Sequence, residues 1–341
     1  MKYAISLWKI LDEMKKIIGI GNALTDILAV LKDDSLFGEL NIPKGSTQFI
    51  EKEQVPEVNK LFSTMKTAKV PGGSTANTIR ALAQIGVSTG FVGKIGHDAT
   101  GEFYVNNMQS MGIDTKFNYS ELPSGIASTL ISPDGERTFI DYLGAAATLK
   151  SSDITPDLLK GYSYFFVEGY LVQDHDMIEH AMKTAKDNNV KVCIDMANFN
   201  IVEAHLDCFK KLIREYVDII FANEQEAMAY SSSSVENALD ELGKSCDIVV
   251  VKVGSKGSYI LHQGEKIKVD ALSVDKVIDT TSAGDYYAAG FIYGLLNDCS
   301  MEKCGRMGSL FSSETIRVIG TALSDEQWES IRMRAHEIIA E

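Results

Sequence analysis

The residues best suited to chemistry lie in Asp279-Thr-Thr-Ser-Ala-Gly-Asp285, a run of small and polar side chains that leads into an apolar helical pattern. Ala288, Ala289, Phe291, Ile292 and Leu295 recur behind it at helical spacing. Small residues at a helix start leave backbone N–H groups bare at the positive end of the helix dipole, where an anion, most often a phosphate, is held. Asp285 falls in the first turn, and a carboxylate beside a phosphate cradle points to phosphoryl transfer. The dipole favours the charged form of such a carboxylate, so a weak base is expected.

A second run, Pro71-Gly-Gly-Ser-Thr-Ala-Asn77, also opens a helix, with Ala76, Ile79, Leu82, Ala83 and Ile85 on its apolar side and Gly86 as its stop. Gly72 and Gly73 let the backbone approach a ligand closely, and Asn77 offers an amide from the first turn. The plainer alternative is a helix capped by Ser74 or Thr75. A third run, Ile17-Ile-Gly-Ile-Gly-Asn22-Ala-Leu-Thr-Asp26, reads as an apolar strand that ends in glycines and presents Asn22 and Asp26, groups suited to sugar-like hydroxyls. A dinucleotide fingerprint fails there, because Leu24 stands where the third glycine belongs, and no Walker-type phosphate loop occurs. The six histidines lack metal-ligand spacing, and His97 and His175 are expected at surface or turn positions.

In this order the three runs resemble the signatures of the ribokinase-like (PfkB) family of small-molecule kinases, over nearly the whole chain from about Ile17 to Ile339. Gly93-Lys-Ile-Gly96-His-Asp98 with Gly101, Met111-Gly112-Ile-Asp114, Asn223-Glu-Gln-Glu226 and Val253-Gly254-Ser-Lys-Gly257 agree with it. The resemblance implies a three-layer α/β/α domain with a mostly parallel central sheet and a small β-sheet lid. It also implies ATP and Mg²⁺ as cofactors and transfer to an alcohol group. By the same resemblance Asp285 is the general base, while Ser282, Ala283, Gly284 and the Asp285 backbone form the anion hole. Glu226, with Asn223, would organise Mg²⁺ through water, and Lys252, Gly254 and Gly257 would flank ATP. Asn22, Asp26, Gly72, Gly73 and Asn77 would hold the acceptor, and Arg137 would reach the phosphates from the lid. The family usually carries glycine where this chain has Ser282; a left-handed backbone there would cost a serine roughly 1–2 kcal/mol.

Asn22 and Asp26 stand four apart, and this spacing resembles the adenosine kinase branch, as does Arg137-Thr-Phe-Ile-Asp-Tyr-Leu-Gly-Ala-Ala-Ala. In that branch Tyr170 and Phe139 would flank a base. The acceptor expected is therefore an adenosine-like nucleoside, with a sugar such as ribose or fructose as the rival and a non-catalytic nucleoside- or nucleotide-binding protein as the third reading. Sugar kinases of the family often dimerise through the lid whereas adenosine kinases tend to be monomers, so either state is open.

The elements that must position these residues are legible from about Ile154 onward. Tyr164–Val167, Lys191–Asp195, Ile219–Ala222 and Ile248–Val253 read as strands buried on both faces, with helical patterns such as Met177–Ala185 and Phe209–Val217 between them. That alternation predicts a parallel sheet with right-handed crossovers and helices on both sides. Residues 27–50 mix short apolar runs with turn signals, and residues 126–142 read as a hairpin about Pro133-Asp134-Gly135. Four short strands from these two segments are expected to form the lid over one kinase domain, residues 17–341, preceded by an extension, residues 1–16.

The 341 residues carry 45% hydrophobic side chains and a formal charge of −14, which argues against nucleic acid or an anionic membrane as a partner. ATP is an anion too, so a nucleotide site here needs a metal ion and helix N-termini. Five cysteines without a Cys-x-x-Cys pair suit a reducing cytoplasm. No apolar run approaches the ~20 residues of a membrane span. Ile5, Leu7, Trp8, Ile10 and Leu11 precede Met14 without a cleavage site, so a short docked helix or an upstream extension is expected there.

Overall fold

The computed structural model describes residues 15–341, and the apolar run ahead of Met14 lies outside the described residues. Its strands are β1 (Ile17–Ile20), β2 (Leu24–Val30), β3 (Thr47–Phe49), β4 (Thr67–Gly72), β5 (Thr89–Gly96), β6 (Asp114–Ser120) and β7 (Gly125–Ile131). The remainder are β8 (Arg137–Tyr142), β9 (Tyr164–Glu168), β10 (Lys191–Asp195), β11 (Ile219–Asn223), β12 (Ile248–Lys252), β13 (Ser258–His262) and β14 (Glu265–Val269). A nine-stranded sheet runs in the order β14-β13-β12-β11-β10-β9-β1-β5-β6. Seven of its strands, β6 through β12 in that order, are parallel, as the alternation predicts. β13 and β14 extend one edge as antiparallel strands. Glu265-Lys-Ile-Lys-Val269 is mostly exposed, so it gives no buried-strand signal in the sequence.

Strand periodicity sorts the apolar side chains into two cores. Ile17, Phe91, Phe166, Phe221 and Val250 face one helical layer, which includes helices Ser74–Gln84, Ala283–Leu296, Met301–Thr315 and Asp325–Ala340. Ile18, Val92, Phe165, Val167, Ile220 and Val251 face the other, with helices His175–Asp187, Leu206–Tyr216 and Val235–Leu242. Helix Ala283–Leu296 is buried along most of its length and packs against both Ser74–Gln84 and Met301–Thr315. No helix among the described residues is long and apolar enough to cross a membrane.

The smaller sheet has five strands, in the order β3-β8-β7-β2-β4, rather than the four expected. The addition is β4, whose Thr67-Ala-Lys start is exposed and whose Pro71 suits an edge strand because no ladder N–H is needed there. One face buries Ala29, Leu130 and Ile140 against Phe37 and Phe62 from helices Ser35–Leu40 and Val55–Ser63. The opposite face carries Val70, Asp26, Ala127 and Asp141 in one cross-strand row and turns toward the carboxyl ends of the large sheet.

Candidate active site

Open parallel sheets bind ligands beyond the carboxyl ends of their strands. Here β9, β10, β11 and β12 end in Glu168, Asp195, Asn223 and Lys252, and Asn22 follows β1. These ends, the start of helix Ala283–Leu296 and the open face of the small sheet enclose a cleft of about 920 Å³. Of the residues singled out from the sequence, all but Asn22 and Gly72 line it. A shallower depression of about 560 Å³ lies elsewhere, among surface charges such as Lys210, Arg214 and Glu241.

The two glycine-bearing helix starts meet. Asn77 Nδ2 donates to Asp285 Oδ2 at 2.9 Å, and Ser74 Oγ donates to Oδ1 at 2.8 Å. Thr78 Oγ1 donates to the Asp285 carbonyl at 3.1 Å. Ser74 is thus not the helix cap, and neither is Thr75. Gly73 takes that position with φ 94°, and a Cβ there would stand 2.4 Å from the Asn22 carbonyl oxygen. Burial pushes the Asp285 carboxyl up to about 7, against the hydrogen bonds from Asn77 and Ser74 and the charge of Lys252. Desolvation therefore outweighs the dipole argument at this carboxyl, which stands near neutrality rather than low.

Ser282 has φ −106°, an ordinary value, so the left-handed strain anticipated for serine does not arise. Ala283 N–H donates to the Thr280 carbonyl at 3.1 Å. Among the described residues, no protein group accepts from the N–H of Gly284 or Asp285, which leaves two donors aimed out of the helix start. A Cβ on Gly284 would come within 3.0 Å of Lys252 Nζ, so the glycine keeps that ammonium close to the bare N–H groups. Lys252 in turn donates to Asp195 Oδ2 at 2.7 Å. Burial works against its charge, but Asp195 and Glu226 outweigh that and hold its pKa above the usual value.

Asn223 and Glu226 form a reciprocal cap on helix Glu224–Ser231. The Asn223 backbone N–H and Nδ2 each donate to a Glu226 oxygen at 2.7 Å, and Glu226 N–H donates to Asn223 Oδ1 at 2.9 Å. Burial, reinforced by Asp195, raises the Glu226 carboxyl to about 7. Gly254 and Gly257 have φ 59° and 92°; a Cβ on Gly257 would lie 1.9 Å from the Val269 carbonyl oxygen. The loop therefore needs glycine for its own closure as well as for any ligand.

On the small-sheet side of the cleft, Asp26 receives no hydrogen bond from the described residues, and burial raises its carboxyl to about 7 against the charges of Arg137 and Arg80. Gly72 lies against it: a Cβ there would meet Asp26 Oδ1 at 2.0 Å. Tyr170 and Phe139 line opposite walls, one from the end of β9 and one from β8. Arg137 is paired with Asp279, which also accepts from Thr281 and Gly320, so its guanidinium is tied to the opening of the Asp279–Asp285 run. Arg137, expected to reach the phosphates from the lid, is here engaged by Asp279.

Three carboxylates in or behind the cleft were not reached by the sequence reading. Glu168 accepts from Asn22 N–H and Nδ2 at 2.8 Å each and from Thr75 N–H at 3.2 Å, and burial raises it to about 7. Asn22 is thereby turned toward Glu168. Asp195 holds Lys252, and Asp141 stands beside Asp26. An acidic residue closing an apolar run was the available signal for Glu168 and Asp195; Asp141 lies in a mixed strand with none.

Among the described residues, no group of three or more His, Cys, Asp or Glu gathers as a metal site. His97 stacks on Tyr119, and His175 is hydrogen-bonded to His205 at 3.0 Å, all outside the cleft. The described cysteines are all free.

A model of the pfkB family of carbohydrate kinases matches residues 37–328. The chain belongs to that family. It is a kinase, a phosphotransferase acting on hydroxyl groups, and its fold is the ribokinase-like α/β fold. It is similar to adenosine kinase 2 of Arabidopsis thaliana, 26% identical over 328 residues covering 89% of this chain and 94% of that one. It is likewise similar to 5-dehydro-2-deoxygluconokinase of Bacillus subtilis, 29% identical with 92% of each chain covered. The crystal structure of adenosine kinase from Sinorhizobium meliloti superposes with a TM-score of 0.85 at 30% identity, covering 94% of this PfkB kinase and all of that chain.

Proposed function

We propose that this PfkB kinase transfers the γ-phosphoryl group of ATP to the primary 5′-hydroxyl of an adenosine-like nucleoside. One observation carries the transfer chemistry: Asp285, gripped by Asn77 and Ser74, sits at a helix start whose Gly284 and Asp285 N–H groups have no protein acceptor. Phosphoryl transfer needs positioning and charge stabilisation more than a strong base. Asp285 takes the hydroxyl proton as the oxygen bonds to the γ-phosphorus and the bond to the leaving ADP oxygen breaks. The open N–H groups and Lys252 offset charge on the moving phosphoryl group.

Each Glu226 oxygen receives one N–H and a carboxylate oxygen has two lone pairs, so the side chain keeps capacity for an ordered water. That fits Mg²⁺ held by Glu226 and Asn223 through water, where the ion would neutralise phosphate charge. Gly254, Gly257 and the stretch near Ala271 and Val274 supply a wall suited to ATP. Asp26 accepts from ribose hydroxyls, and Tyr170 and Phe139 supply aromatic faces for a base. The small sheet acts as the lid, excluding water that would otherwise be phosphorylated in the acceptor's place.

The adenosine kinases among its relatives support the nucleoside, and the Bacillus relative at 29% identity supports a sugar-type acceptor as the second reading. ADP release from Mg-ATP with a panel of nucleosides and sugars separates them. Adenosine-dependent release is expected. Release only with ribose, fructose or a related sugar overturns the nucleoside, and ATP binding without turnover across the panel overturns the catalytic reading.

A further inference from the structure

Asp141 is a carboxylate for which the transfer chemistry has no use. It lies on β8, and strand register fixes its neighbours: Asp141 pairs with Ala127 of β7, Ala127 pairs with Asp26 of β2, and Asp26 pairs with Val70 of β4. All four line the cleft. Adjacent strands stand about 4.8 Å apart, so Asp26 and Asp141 face one another across about 10 Å, with only the methyl group of Ala127 between them. That is a trough floored by a small side chain and walled by two acids.

Neither wall is satisfied by protein. Asp141 Oδ1 is buried and without a hydrogen-bond partner, and Asp26 receives no bond from the described residues. Burial, and then the charge of Asp26, raises Asp141 to about 7. A buried acceptor left open is costly, so the position fits a group that a ligand completes. The row also has a direction. β4 runs directly into helix Ser74–Gln84, whose Asn77 and Ser74 grip Asp285. Moving away from Asp285, the order is therefore β4, then Asp26, then Ala127, then Asp141. An acceptor with its reacting hydroxyl at Asp285 and its sugar hydroxyls at Asp26 extends its remaining part to Asp141.

We propose that Asp141 determines acceptor specificity by receiving a hydrogen bond from an exocyclic amine on the nucleobase, so that the enzyme selects amino-bearing nucleosides. This rests on the nucleoside reading above. An amino group suits the ionised carboxylate because it donates, whereas an oxo-substituted base presents an acceptor there, which the ionised form repels.

The test compares adenosine with purine riboside, which differs only by lacking the 6-amino group, in wild type, Asp141→Ala and Asp141→Asn. With the assay run above pH 7, where the Asp141 carboxyl is ionised, a hydrogen bond to a charged group is lost, so wild type is expected to show a KM about 10-fold or more higher for purine riboside, with kcat changing less. In Asp141→Ala that ratio should fall to near 1, chiefly because adenosine binds more weakly; Asp141→Asn retains an acceptor and should keep part of it. Both nucleosides phosphorylated with the same KM, or a ratio unchanged in Asp141→Ala, overturns the role of Asp141 while the nucleoside reading stands. Phosphorylation of sugars but of neither nucleoside overturns both. Should Asp141→Ala not fold, the wild-type ratio and Asp141→Asn alone decide between these outcomes.

Discussion

The two sides of the cleft are built differently. On the proposed transfer side the charged groups have protein partners: Asp285 with Asn77 and Ser74, Lys252 with Asp195, Glu226 with Asn223. On the proposed acceptor side Asp26 has none among the described residues, and Asp141 Oδ1 is buried without one. The contrast teaches where preorganisation is useful. The phosphoryl group is the same in every turnover, so the groups that serve it can be fixed in advance. An acceptor must be told from its competitors, and unpaired buried groups do that because a molecule that fails to complete them is penalised.

Changing one residue on each side should sharpen that contrast. Asp285→Asn removes the proposed base but keeps the shape, and kcat should fall by about 10²–10⁴-fold with ATP and acceptor still bound. Steady-state kinetics beside calorimetric binding checks this; near-normal turnover would remove Asp285 from the chemistry. Because Asp285 is raised to about 7, kcat/KM of the wild type should also decline on the acid side of pH 7. Asp26→Ala acts on binding instead, raising the acceptor KM by about 10- to 100-fold with a smaller change in kcat. An unchanged KM breaks the comparison on its acceptor side.

Stability effects are smaller. Gly257→Ala places a Cβ at φ 92° and 1.9 Å from the Val269 carbonyl oxygen, so it should destabilise the protein by at least about 1–3 kcal/mol. A melting temperature equal to wild type would show that the loop adapts. The smallest effect concerns the open carboxylates. Asp26 and Asp141 titrate near 7 when folded against an ordinary 3.8, so the folded state holds their protons more tightly. Their contribution is complete below about pH 4 and is lost as pH rises through 7. Asp141→Asn should therefore gain melting temperature relative to wild type at pH 8, by about 2 °C, and gain less at pH 5.

How much of this was legible depends on how locally each residue's task is written. Strand cores such as residues 192–194 and 219–222 are apolar because both faces are covered, so their pattern survives in one dimension. The two glycine-bearing helix starts were equally plain, since small residues before a helical period have few other uses. β4 and β14 were not, because each lies at the edge of its sheet, is largely exposed and carries lysine like any loop. Glu168 and Asp195 escaped for a different reason. Each matters through a partner far away in the chain, as Glu168 does through Asn22, 146 residues distant. The motif Gly96-His-Asp98 with Gly101 shows the converse. Its Asp98 accepts from Gly101 N–H at 2.8 Å and Ser124 N–H at 2.7 Å, so its task is to pin helix Ala99–Ser110 to the loop before β7.

Between β4 and helix Ser74–Gln84 there is a single residue, Gly73. On the proposed reading, the strand beneath the acceptor and the helix turn that holds Asp285 are thus joined at one hinge. A tilt of that strand would reach Ser74 and Asn77 at once, and with them the aim of Asp285, so that arrival of the right guest and alignment of the proton's destination would be coupled.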